Sequence, residues 1–209
     1  MTFKHRLATF RASPVRGPLA FEPARNATQR RSFPGRRWFA VWLAFPLAGF
    51  VGWKVGGRVD GIDAALLGGA LTAAGLGAVQ WWAANGALGR PGAWIAASTI
   101  GYAAGLAAGA ALVGYDTDLR ALALMGLVSG AALGAGQGLV LARQGRRALA
   151  LPWALAMPVL FSLGWTVASV TGIGVDDQFT VFGAGGALVF MLLTGLLVAR
   201  FTPARSAVA

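Results

Sequence analysis

Six apolar stretches, each close to the ~20 residues that an α-helix needs to cross about 30 Å of hydrocarbon, follow one another through this chain. They run approximately over 38–57, 62–84, 91–113, 119–142, 150–170 and 179–201. The connectors are short and rich in Gly, Asp or Arg, so neighbouring helices must be antiparallel and no second globular domain fits between them. With 56% hydrophobic and 12% charged residues among 209, a water-soluble ball would expose large apolar patches. The sequence therefore predicts an all-α, polytopic transmembrane bundle of six helices over 38–201, a basic arm over 1–37 and a short tail over 202–209. Thirty-one glycines would weaken a soluble helical bundle, but in lipid small residues let helix backbones approach closely.

The connectors also sort the charges. Asp60 and Asp63 fall between the first two stretches, Asp116 and Asp118 between the third and fourth, and Asp176 and Asp177 between the fifth and sixth; these are all the aspartates. Arg90, Arg143, Arg146, Arg147, Arg200 and Arg205 fall on the opposite connectors and the C-terminal side, with nine basic residues of the arm. By the positive-inside rule the Arg-bearing face, and both ends of the chain, are expected in the cytoplasm. Lys54, Arg58 and Arg120 lie on the acidic face without reversing the bias. Trp38, Trp81, Trp82, Trp94 and Trp153 near one set of helix ends, and Trp53 and Tyr115 near the other, read as interfacial aromatic belts.

A shift of 57 positions lays Leu67, Gly69, Ala74, Leu76, Gly77, Ala78 and Gln80 on Leu124, Gly126, Ala131, Leu133, Gly134, Ala135 and Gln137. The Ala/Gly bias inflates such matches, but it does not explain the paired glutamines. Gly49-Phe50, Gly101-Tyr102 and Gly164-Trp165 add a second recurrence in the odd-numbered stretches. The expected unit is an outward hairpin, used three times in parallel about a pseudo-threefold axis along the membrane normal. In the sixth stretch Thr194 or Leu196 stands at the depth of the glutamines. Gly101, Gly105 and Gly109, and Gly126, Gly130, Gly134 and Gly138, recur every fourth residue and so line one stripe of their helices. Such stripes permit close crossings within the chain, or an interface between copies.

The run Gly77-Ala78-Val79-Gln80-Trp81-Trp82, then Arg90, Trp94, Ala97-Ser98 and Gly101-Tyr102, with a poorer copy from Gln137 through Arg146-Arg147 to Gly164-Trp165, resembles a set of uncharacterised bacterial multi-pass membrane proteins. In these a Gly-rich helix ending in Gln and an aromatic is followed by a Trp, Ala-Ser and Gly-aromatic helix. The resemblance covers the second to fifth stretches and implies a membrane fold with no assigned activity.

Intramembrane polar groups are where function is first sought, because burying them in lipid is costly. Away from the ends of the spans there is no Asp, Glu, Lys, Arg or His, which removes the usual proton relays and gating charges. Gln80 and Gln137 remain, as interhelical glue or as contacts for a ligand or a lipid headgroup. The aspartates read as helix caps, with Asp63, Asp118 and Asp177 at helix starts, or as an outer ring attracting cations. With no cysteine and His5 as the single histidine, a metal, haem or other cofactor is not expected, and Ser98, Ser129, Ser162 and Ser169 have no base placed to activate them. Pro46, Pro152 and Pro158 can free helical carbonyls to line a cavity.

The arm carries Lys4, Arg6, Arg11, Arg16, Arg25, Arg30, Arg31, Arg36 and Arg37 against Glu22 alone, and four prolines prevent any long helix there. Arg30, Arg31, Arg36 and Arg37 are candidates to meet anionic phospholipid headgroups or a membrane partner, with nucleic acid ranked last. Arg-rich and acid-poor, it has something of an organellar transit peptide, but the Ala/Gly/Arg-heavy usage points to a bacterium, hence to its cytoplasmic (inner) membrane. Two non-catalytic roles follow: an accessory or scaffold subunit that binds lipid and a larger membrane-protein complex, or a small solute or lipid conduit.

Overall fold

The computed structural model describes residues 35–171 and 179–201. The arm up to residue 34, including Arg30 and Arg31, the connector with Asp176 and Asp177, and the tail from 202 lie outside the described residues. The rest is six helices: α1 (Gly35–Gly56), α2 (Ile62–Ala83), α3 (Pro91–Leu112), α4 (Leu119–Arg143), α5 (Arg147–Val170) and α6 (Phe179–Phe201). No strand occurs among the described residues. The first five are long and apolar enough to cross a membrane. α1 and α5 each begin three residues earlier than the hydropathy pattern suggests, because Arg36, Arg37 and Arg147 continue the helix into polar surroundings without breaking it.

The chain turns sharply between helices. Gly89 and Gly145, at φ of 86° and 79°, take the left-handed backbone that only glycine adopts cheaply, and they sit just where the Arg-bearing connectors reverse direction. These two connectors are tied together. An Arg146 guanidinium N–H donates to the Gly86 carbonyl at 2.6 Å, and the Gln144 side-chain oxygen accepts from the Arg90 backbone N–H at 2.6 Å. At the opposite end the Asp118 carboxylate caps α4, accepting from the Ala121 N–H at 2.7 Å. Asp63 lies in the first turn of α2, where the cap is Gly61 and no side-chain cap bond forms.

Among the described residues each helix backbone lies close only to those of its neighbours in sequence, and α1 meets α6, so the six helices close into a ring, across which only side chains touch. The outward faces are apolar: Leu43, Leu47, Val51 and Val55 on α1, and Leu151, Leu155 and Val159 on α5, are all well exposed. A soluble bundle would put polar residues there, so the ring is a helical membrane protein that presents aliphatic side chains to lipid.

Glycines set the helix spacing. Gly101, Gly105 and Gly109 face α4, where an added Cβ would come within about 3 Å of the Leu133, Ser129 and Met125 backbone. Gly126, Gly130, Gly134 and Gly138 face α5 instead, against Phe161, Met157, Ala154 and Ala150. α4 therefore meets α3 and α5 along different faces, and all seven stripe glycines are consumed by crossings within the chain.

The middle of the ring differs from end to end. At the Arg-bearing end Trp38, Trp94 and Trp153, with Leu88, Leu141 and Met157, are 0–2% exposed and belong to one packed cluster. This corrects the reading of those three tryptophans as an interfacial belt: nearness to the end of a span fixes depth but not direction. Helices lined with Gly and Ala leave a central space that only large rings can fill. Trp82, half exposed beneath the Arg37 guanidinium at 5.6 Å, does stand at the surface.

Candidate functional site

Toward the Asp-bearing end the ring is not filled. A cavity of about 540 Å³ runs from Arg58, Asp60 and Thr117, in the connectors at that end, down to Gln80, Ser98 and Gln137. All six helices contribute to its wall, and no residue of the Arg-bearing connectors reaches it. Its middle is aliphatic and aromatic, lined by Leu76, Leu106, Leu133, Leu160, Phe161 and Phe190. Volume and lining match the concave, mostly apolar sites with a few convergent polar groups that hold small molecules, at about 300–1,000 Å³.

The floor owes its position to the hairpins. Gln80 lies three residues before the end of α2 and Trp94 three residues after the start of α3; Gln137 and Trp153 lie six residues from the ends that α4 and α5 share. Antiparallel helices joined by a tight turn bring such positions to one depth. One pair is joined: the Trp153 indole N–H donates to the Gln137 side-chain oxygen at 2.8 Å. The Gln137 amide nitrogen then donates to Ser98 Oγ at 2.8 Å, and Ser98 Oγ donates to the Trp94 carbonyl at 2.8 Å. This relay crosses three helices with every member buried, where neighbouring bonds reinforce one another.

The other pair is not joined. Trp94 is fully buried, yet its indole N–H has no partner among the described residues. An unpaired buried donor costs about 1–3 kcal/mol. The Trp94 ring is held edge-on to Trp153 at 5.5 Å. Gln80, 7% exposed, lines the cavity, and no hydrogen bond of its amide occurs among the described residues. The third tryptophan, Trp38, donates to the Met191 carbonyl of α6 at 2.8 Å. Thr194, rather than the exposed Leu196, points inward beside it and donates to the Phe190 carbonyl at 2.7 Å.

The sequence singled out the two glutamines but not their company. Ser98 counted only as an unactivated hydroxyl and is in fact the acceptor that fixes Gln137. Tyr102 counted only as a repeat aromatic and lines the cavity one turn above Ser98, its ring 5.6 Å from Phe161. Arg36 and Arg37 open α1 at the Arg-bearing end. Arg90, Arg143 and Arg146 line a shallow groove at that same end, away from the cavity. No cluster of three His, Cys, Asp or Glu able to hold a metal occurs among the described residues. Asp60 borders the cavity mouth, while Asp116 folds back on the Thr117 and Asp118 N–H groups at 2.6 and 3.1 Å.

Comparison with known protein families, with curated proteins and with solved structures finds no match to this chain.

Proposed function

We propose that this chain is a non-catalytic conduit or carrier, which takes a small uncharged molecule into the centre of its helix ring from the Asp-bearing face. The observation that supports this reading is the cavity: among the described residues its lining runs from the Asp-bearing connectors to Gln80 and Gln137 and takes in no residue of the Arg-bearing connectors, the end where Trp38, Trp94 and Trp153 are buried. A site that ends inside the membrane with a seal on one side is what a carrier needs in one of its access states. Passage across then requires the tryptophan layer to part. The other role, an accessory or scaffold subunit bound to a larger membrane complex, would have to dock through surfaces other than the seven stripe glycines, which lie at crossings inside the chain.

Orientation follows from charge. By the positive-inside rule Arg90, Arg143, Arg146, Arg147 and Arg200 favour the cytoplasmic side for their end, which turns the cavity outward, and the Ala/Gly/Arg-heavy usage favours a bacterial inner membrane. The arm, with Arg30, Arg31, Arg36 and Arg37, then lies against anionic headgroups. The ring is further read as three outward hairpins about a pseudo-threefold axis. In support, Gly77 faces Ser98 and Ile95, while Gly134, 57 positions on, faces Met157 and Ala154, each 59 positions on. On this register Tyr102 corresponds to Phe161 and Gly105 to Gly164, which replaces the match of Gly101-Tyr102 with Gly164-Trp165 read from sequence.

Gentle extraction of the whole chain from its native membrane, followed by native mass spectrometry, tests the function. A retained drug-sized organic molecule is expected, and filling the cavity by Leu76→Trp is expected to abolish it. A stoichiometric protein partner with no small molecule, or a molecule that Leu76→Trp leaves in place, contradicts the reading.

A further inference from the structure

We infer that the cavity selects a neutral amphipath, an apolar body carrying one uncharged head that both donates and accepts hydrogen bonds, and that Gln80 is the residue that reads the head. The inference rests on the cavity being a ligand site and adds what the ligand must be.

Three observations converge. First, Gln137 is committed on both sides of its amide, to Trp153 and to Ser98, so it serves as platform. Gln80, with the same side chain three residues from its helix end where Gln137 is six from its own, lines the cavity with no hydrogen bond to its amide among the described residues. A primary amide offers two N–H donors and a carbonyl acceptor, and a ligand that fills the cavity must satisfy them or leave them desolvated. Second, Tyr102 lies one turn above Ser98 on α3 and lines the same space, with no hydroxyl hydrogen bond among the described residues, so the wall offers one more donor and acceptor. Third, among the described residues neither floor nor wall holds an ionisable group of opposite sign for a charged head; Arg58 and Asp60 stand at the mouth. A carboxylate or ammonium carried to the floor would be stripped of water without a counter-charge, which is strongly unfavourable.

The wall sets the body. From Gly68 to Gln80 the lining of α2 rises about 18 Å, at about 1.5 Å per residue, past Ala73 and Leu76. A medium-length aliphatic chain fits that depth with its head on Gln80, and its apolar surface leaves water for the cavity at about 25 cal/mol per Å².

The test uses the full chain in lipid nanodiscs, with empty nanodiscs subtracted, and four probes of equal length: decanamide, decanoate, decylammonium and decane. Decanamide is expected to bind at least about tenfold tighter than either charged probe, and Gln80→Leu is expected to lower its affinity about tenfold while leaving decane unchanged. Tyr102→Phe, which keeps the ring and its packing, is expected to lower decanamide binding a few-fold, so the inference stands or falls even if Gln80→Leu fails to fold. Tighter binding of decanoate or decylammonium, or decanamide binding indifferent to both substitutions, overturns the ligand class while leaving the cavity a site. Failure of all four probes to bind overturns the cavity itself as a ligand site.

Discussion

The α2–α3 and α4–α5 crossings are built from matching residues and end up different. Each has a glycine at a close approach, a glutamine one turn toward the Arg-bearing end, and a buried tryptophan facing it across the hairpin. At α4–α5 the glutamine and tryptophan are bonded and the backbones are tight: a Cβ on Gly134 would lie 2.7 Å from Met157 Cβ and 2.8 Å from the Ala154 carbonyl oxygen. At α2–α3 the approach is looser, with 3.0 Å from a Cβ on Gly77 to Ser98, and neither the Gln80 amide nor the Trp94 N–H has a partner among the described residues. The residues that face the two glycines differ, Ser98 and Ile95 at one crossing and Met157 and Ala154 at the other. The Ser98 hydroxyl accepts the Gln137 N–H and knits α3 to α4, a bond that Met157 has no group to make.

The largest test of this contrast is steric. Gly134→Ala drives a methyl group into backbone and is expected to destabilise the folded chain by about 2–3 kcal/mol, the usual range for overpacking. Gly77→Ala meets the Ser98 side chain at 3.0 Å and the Ile95 Cα at an ordinary 3.6 Å, and the gain of about 1 kcal/mol in helix propensity largely cancels its strain. Thermal unfolding of both variants in the same detergent checks this; equal losses would mean that the two crossings are equally tight.

A smaller effect separates the tryptophans. Trp153→Phe and Trp94→Phe remove rings of equal size from the same packed layer, so their packing losses should be similar. Trp153→Phe also strands the Gln137 carbonyl, whereas Trp94→Phe removes a donor that had no partner. The first is therefore expected to be less stable than the second by about 1–2 kcal/mol in the same melting assay. A reversed order would place the structural relay at Trp94.

Much of this was legible from residue order. The number of helices, the sorting of Asp and Arg to opposite connectors, and the depth of Gln80 and Gln137 follow from span length and antiparallel connection alone. Hairpin arithmetic would also have paired Gln80 with Trp94 and Gln137 with Trp153, since distance before a turn equals distance after it. What the residues did not announce was direction around each helix. A tryptophan near the end of a span suits an interface or a core equally well, and with Gly and Ala on every face no contrast between polar and apolar sides marks the inner one. The cavity is likewise invisible in sequence, because it is the volume that small side chains fail to fill once the ring has closed.

Most directly at stake is that the centre of the ring is reached from the Asp-bearing end and sealed at the other. The chain has no cysteine, so single cysteines report cleanly. Ala73, on the cavity wall, and Ala150, in the packed layer beside Trp153, are buried to nearly the same degree, 5% and 7% exposed. With a small membrane-impermeant thiol reagent added outside intact cells, Ala73→Cys should react and Ala150→Cys should not. Reaction of both, or of neither, would contradict a ring with one accessible and one closed half.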